Sequence, residues 1–230
     1  MCCPVLTFTA LWVTSQGTVF GKWYAADEDR SLSFADTRGE APTPLPSDQD
    51  AAFMYRYAVG YLRSKGFEHY EVSSYALLDS TKSWRSRHNQ VYWAVDSEWY
   101  ALGLGATSYV DGVLTARPRT MVDYIRWVQE GTEESSEKSD NVDLLMDTVL
   151  KRLRTSEGLS LTWIRHRFPD QAEAYIKAIL EGSKLGLELG LASLEQNILR
   201  LKDPSGFLFS NSIISAIFAE IEDLEEKEIC

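Results

Sequence analysis

The chain has 230 residues, enough for one large or two small domains with a real core. Its 34 acidic residues against 23 basic ones give a formal net charge of −11, and a surface that acidic repels phosphate backbones, which argues against nucleic acid as a partner. Hydrophobic residues at 44% and charged residues at 25% are ordinary for a globular protein, and no apolar run approaches the roughly 20 residues of a membrane-spanning helix.

The first stretch, Met1 to Val13, is apolar but has no basic residues ahead of its apolar part. It lacks the marks of a signal or transit peptide, and reads as a buried strand or as a chain start foreign to the rest of the fold. Residues 26–48 are polar with prolines toward the end, the composition of an exposed loop. Ser47 and Asp50 then have capping-box spacing, Phe53, Met54, Tyr57, Ala58, Tyr61 and Leu62 recur on one helical face, and Gly66 ends the helix. The following HYEVSSYAL, residues 69–77, is rich in β-branched and aromatic residues and predicts a strand. A second strand is expected over Trp99–Val110, then a turn at Asp111–Gly112 and a short strand VLTA. Thr120 and Asp123 repeat the capping-box spacing ahead of Val122, Ile125 and Val128. Helix followed directly by strand is the rhythm of an α/β fold.

Residues 131–141 are charged and serine-rich, and form the best candidate linker. Beyond them, Val142, Leu145, Met146, Val149 and Leu153 mark a helix, a shorter one is expected at Leu161–Phe168, and a third runs from about Asp170 to Leu189. NILRLKDPSGFLFS predicts a hairpin turning across Asp203–Gly206, and a last helix starts at Ser212 and runs into an acidic tail at 220–230. Three helices and a hairpin give a winged-helix-like outline. With acidic residues outnumbering basic ones here, that outline suits packing or protein binding better than DNA.

Candidate chemistry is sparse. The three cysteines, Cys2, Cys3 and Cys230, sit at the extreme ends and make neither a disulfide framework nor a metal site, which suggests reduced thiols inside the cell. His88 has unusual neighbours: Arg85 and Arg87 before it, Asn89, Tyr92 and Trp93 after it. Neutral imidazole is a good axial ligand for heme iron, flat aromatics suit a porphyrin face, and arginine pairs with propionate carboxylates. A lone histidine is more often a surface or hydrogen-bonded structural residue. Gly103 and Gly105, in GLGA, could let backbone approach a cofactor, although a tight strand end explains them as well. Glu71 could be a general base, or could simply point to solvent from the polar face of a strand. His69 and His166 are expected to be structural.

In order along the chain, YEVSSYA, SRHNQVYW and WYALGLGATSY resemble the distal part of the HemN/HemW group of radical-SAM proteins. QGTVFGKWY, residues 16–24, is similar to the segment before that group's proline-containing loop. The group comprises oxygen-independent coproporphyrinogen III oxidases (dehydrogenases) of porphyrin biosynthesis and their heme-chaperone relatives. H-N-x-x-Y-W marks the HemW branch and stands intact as His88, Asn89, Tyr92 and Trp93. The resemblance implies an α/β fold, a partial radical-SAM-type barrel over residues 1–130, followed by a small helical C-terminal domain at 142–219. It implies a heme-binding protein with His88 on the iron, Tyr92, Trp93 and Asn89 near the macrocycle, Arg87 on a propionate, and Glu71, Gly103 and Gly105 as cofactor-binding candidates. Heme and recipient hemoproteins are the implied partners, in the cytoplasm or in an organelle such as a mitochondrion or chloroplast. The alternatives are a coproporphyrinogen oxidase, or a truncated interaction module without activity. The group's C-x-x-x-C-x-x-C loop, which holds a [4Fe–4S] cluster that binds S-adenosylmethionine, has no counterpart here, so radical catalysis by this chain alone is not expected and a truncated product is.

Overall fold

The computed structural model describes residues 5–7, 11–14, 17–20, 46–130 apart from 83, 96 and 112, and 141–229; for the first three of these segments and for 227–229 only the backbone is described. The expected loop at 26–48, the linker at 131–141 and the cysteines lie wholly or largely outside those residues. Three short strands come first: β1 (Val5–Thr7), β2 (Leu11–Thr14) and β3 (Gly17–Phe20), the last two paired antiparallel. The apolar start of the chain is therefore strand, in part.

Helix α1 (Asp48–Ser64) begins at the expected cap. The Ser47 hydroxyl accepts from the Asp50 amide at 3.2 Å and donates to the Asp50 carboxylate at 2.7 Å. Gly66, at φ +82°, turns the chain out of it. The expected apolar face is only half right. Val59 and Leu62 are buried, while Phe53, Tyr57 and Tyr61 are exposed and stack along the outer face with ring centroids 6.4 Å apart at each step.

Residues 69–77 are two strands, not one. β4 (Phe67–Glu71) and β5 (Ser74–Leu77) form a hairpin, and β1 adds to β5 from the other side. Its tight turn carries neither glycine nor proline; the Glu71 carboxylate serves instead, accepting from the Ser73 amide at 3.2 Å and hydroxyl at 2.9 Å. Next comes α2 (Arg87–Trp93), then β6 (Thr107–Val110) and β7 (Val113–Ala116) as a second hairpin, and α3 (Met121–Glu130). The strand expected from Trp99 is confined to its last four residues. Gly103 and Gly105, at φ +99° and +67°, bend the chain before it, and Trp99 rejoins through a lone bridge to Tyr109. α3 starts at the expected Thr120–Asp123 cap, where the Thr120 hydroxyl accepts from the Asp123 amide at 3.2 Å, but its Met121, Val122, Ile125 and Val128 are exposed.

From residue 141 the chain closes on itself. α4 (Asn141–Leu153), β8 (Leu159–Ser160), α5 (Leu161–Arg167), α6 (Ala172–Glu188), β9 (Ala192–Glu195), β10 (Ile198–Leu201), α7 (Ser205–Leu208) and α8 (Ser210–Ile229) surround one apolar core. Leu145, Val149, Leu153, Ile164, Ile179, Leu199, Phe207, Ile217 and Ile221 are almost wholly inaccessible, each contributing about 1.5–3 kcal/mol by burial. α6 crosses α8 closely at Gly182, where a Cβ would stand 2.5 Å from the Ile217 Cα. The hairpin is β9–β10, turning at Gln196–Asn197 with φ +52° and +60°, not across Asp203–Gly206, which instead opens α7. The acidic stretch from 220 is no separate tail, because α8 runs through it and Ile221 anchors it in the core.

Hydrogen bonds and ion pairs centred on Asp203 and Arg85 are among the links that tie this body to the first region. Asp203 receives the Arg63 guanidinium at 2.6 Å and sits 2.8 Å from Nδ1 of buried His69. Nε2 of His69 lies 3.2 Å from the Val72 carbonyl, and its ring stacks on Tyr75 at 4.1 Å and meets Phe207 edge-on at 5.0 Å. Arg85 pairs bidentately with Glu68 at 2.9 and 2.7 Å and reaches Glu157 at 3.5 Å; those bonds, Glu68 first, hold its guanidinium above the usual arginine range.

Candidate functional site

The HNQVYW motif is one short helix, and helical geometry divides its residues between two faces. Ser86 caps α2 by accepting from the Asn89 amide at 3.3 Å. His88 and Tyr92, four residues apart, share the outer face; both are exposed and their rings meet edge to face at 5.0 Å. Asn89 and Trp93 share the other face, half-buried. The Asn89 amide donates to the Ser74 hydroxyl on β5 at 3.4 Å, and the Arg154 guanidinium lies 5.7 Å from a Trp93 ring centroid. Asn89 and Trp93 therefore hold the helix down while His88 and Tyr92 face out.

The outer face continues into residues that the motif does not contain. Tyr92 meets Trp99 at 5.0 Å, and Trp99 meets Tyr109 at 5.1 Å. The backbones of Trp99 and Tyr109 exchange two hydrogen bonds of 2.9 Å, and the Trp99 indole donates to the Thr107 carbonyl at 2.9 Å. Lys151 of α4 closes the far end, its ammonium 4.7 Å from the Tyr109 centroid and 5.3 Å from the Trp99 centroid. The result is a line of four rings running from an exposed imidazole to a buried lysine. Trp99 and Tyr109 are legible in sequence only as strand aromatics. Lys151 falls off the apolar stripe of its helix and carries no signal at all.

The other expected site residues lie elsewhere. Arg87 is exposed in the first turn of α2, next to His88. Glu71 does not point to solvent: it is 2% exposed, latched by Ser73 and bridged to Thr155. Gly103 and Gly105 shape a turn, with the Gly105 amide donating to Pro118 at 2.9 Å and the Ala106 amide to Gly103 at 3.3 Å. Local backbone geometry accounts for both glycines. His166 is exposed in the last turn of α5 between Arg165 and Arg167. Among the described residues no group of three or more histidine, cysteine or acidic side chains could hold a metal ion, and no helix is long and apolar enough to cross a membrane.

Comparison with known proteins assigns the class first. The fold matches that of coproporphyrinogen III oxidase (HemN) from Escherichia coli, a radical SAM enzyme, with a TM-score of 0.58 at 14% identity over 75% of this chain and 42% of that one. The mixed α/β fold is thus of the HemN type. In sequence, heme chaperone HemW of Synechocystis is 34% identical over 224 residues, 90% of this chain and 49% of its own length. The HemW proteins of Lactococcus lactis and Bacillus subtilis are 27% and 21% identical, over 54% and 77% of this chain. The chain belongs to the HemW/HemN-like family. It spans about half the length of the curated relatives it matches, 49%, 31% and 45% of them. No family model matches it.

Proposed function

We propose that this chain binds heme as cargo through His88 and acts in a heme chaperone that passes it to hemoproteins inside the cell. The observation that carries the reading is the exposed His88 imidazole, held edge-on to exposed Tyr92 on a helix whose other face is fastened to the protein. The relatives' name, heme chaperone, supplies the chemistry to which that imidazole is suited. A ring nitrogen of His88 would take one axial position on the iron, Tyr92 would lie against the macrocycle, and Arg87 would pair with a propionate. Asn89 and Trp93 contribute by fixing the helix and not by facing the cargo. Because His88 is exposed, a recipient's own ligand could reach a heme held there, as hand-over requires. The sequence contains no cysteines with the spacing that holds a radical-SAM cluster.

The test is a heme titration of the full chain followed at the Soret band. We expect His88→Ala to abolish the ligated spectrum and to weaken binding by about tenfold or more, since loss of even a residue that only supports a metal ligand costs about that much. An unchanged spectrum and affinity would refute the assignment of His88.

A further inference from the structure

We propose that Lys151 is a positioning residue for the His88 site, acting through Trp99 and Tyr92; the proposal rests on the heme reading above and adds to it a residue outside the motif. Lys151 is only 8% exposed, an uncommon place for an ammonium group. Burying a charge is costly unless it is paired. Here the partners are the Asp147 carboxylate at 2.5 Å, one turn back on α4, and the two ring faces of Tyr109 and Trp99. Asp147 alone would satisfy the charge at the surface, by the ordinary i,i+4 pair of an exposed helix. What the inward position adds is contact with the rings.

Those rings stand at the joint between a rigid element and the site. α4 is fixed in the core through Leu145, Val149 and Leu153, all 0% exposed. Trp99 belongs to no regular strand and is held by its bridge to Tyr109, by its indole bond to Thr107 and by the ammonium. Tyr92 in turn leans on Trp99, and His88 on Tyr92. Lys151 thereby sets the rotamers of Trp99 and Tyr109, and through them the plane of the Tyr92 ring that orients His88. A cation over a ring face is directional enough to do this, where an apolar side chain of the same volume is not.

The experiment compares Lys151→Met, Lys151→Arg and His88→Ala with the parent in the full chain. Histidine side chains labelled with 15N are observed first without heme. Lys151→Met is expected to shift the His88 resonances, because the Tyr92 ring current falls on that imidazole, and to leave those of His166 in place. Lys151→Arg, which keeps a cation over the rings, is expected to restore them. Heme titration is then expected to show an affinity about three- to tenfold lower in Lys151→Met, less than the full weight of a desolvated cation–π contact because Lys151 acts through the rings, with an altered Soret circular dichroism and near-parental binding in Lys151→Arg. Unmoved His88 resonances in Lys151→Met overturn the inference whatever heme does. So does parental heme affinity in Lys151→Met when His88→Ala abolishes binding. If His88→Ala leaves heme binding intact, the heme reading fails, and the His88 resonances alone decide whether Lys151 sets the ring line. An unfolding midpoint of Lys151→Met equal to the parent's, alongside shifted resonances, supports positioning; a large fall with unmoved resonances marks Lys151 as merely structural and overturns it.

Discussion

From residue 141 onward most apolar side chains turn inward: Leu145, Val149, Ile164, Ile179, Leu199, Phe207 and Ile217 meet in one core, while Leu185, Leu189, Leu194 and Phe209 stay exposed. Between 46 and 130 many turn outward. Phe53, Tyr57 and Tyr61 line the outer face of α1, Tyr100 and Leu102 the bend before β6, and Met121, Val122, Ile125 and Val128 one side of α3. The periodicities are equally clear in both regions, so amphipathic pattern by itself does not tell which face is covered. The difference teaches where to seek function. A region that buries most of its apolar surface serves as scaffold, and exposed apolar faces are where contacts with other groups are to be sought. The HNQVYW helix lies in the second region, and its Tyr92 touches Trp99, whose other contacts include Lys151 of the first-named body.

The sharpest way to break that contrast is a pair of phenylalanine truncations. Phe207→Ala empties a site 1% exposed and is expected to cost about 3–5 kcal/mol. Phe53→Ala removes a ring 67% exposed and is expected to change stability by less than about 0.5 kcal/mol. Denaturant unfolding of both variants decides; equal losses would end the distinction between the two regions.

The junction between them is sharpened by Asp203→Ala, which removes the acceptor shared by Arg63 and buried His69. A loss of about 1–3 kcal/mol is expected, most of it from the stranded imidazole nitrogen. Arg63→Ala, at an exposed partner, should cost at most about 1 kcal/mol in the same unfolding assay. A smaller loss for Asp203→Ala than for Arg63→Ala would show that the His69 bond contributes nothing.

The smallest effect concerns pH. Burial, foremost, and the neighbouring acidic groups push the Tyr55 and Tyr75 phenols above the ordinary tyrosine range. The folded state therefore holds both protonated. Their contribution is fully present below about pH 10, where the unfolded phenols begin to ionise, and is lost as pH rises beyond it. Unfolding midpoints measured from pH 8 to 11 should fall at the alkaline end, and Tyr55→Phe should flatten that fall. A fall of equal steepness would exclude Tyr55 as its source.

The helix starts at Ser47 and Thr120 and the buried stripe Val142–Leu153 were legible because caps and periodicity are local. The split of residues 67–77 was not, since its turn depends on a side-chain carboxylate and not on glycine or proline. Asp203–Gly206 looked like a hairpin turn by composition, yet Gln196 and Asn197 take the left-handed conformations that the hairpin needs. At the candidate site, the motif named His88, Asn89, Tyr92 and Trp93 together, and only the helix shows that they serve two different faces, about 100° apart. Trp99, Tyr109 and Lys151 join them through tertiary contact, for which no local pattern exists.

The stacked rings of α1 also bear on how copies of the chain behave in solution. At neutral pH a net charge of −11 keeps molecules apart, and the flat strip formed by Phe53, Tyr57 and Tyr61 stays solvated. As carboxylates take up protons toward about pH 4, that repulsion fades while the strip is unchanged. The acid side is therefore where turbidity sets in first, with added salt moving its onset toward neutrality by screening the same charges.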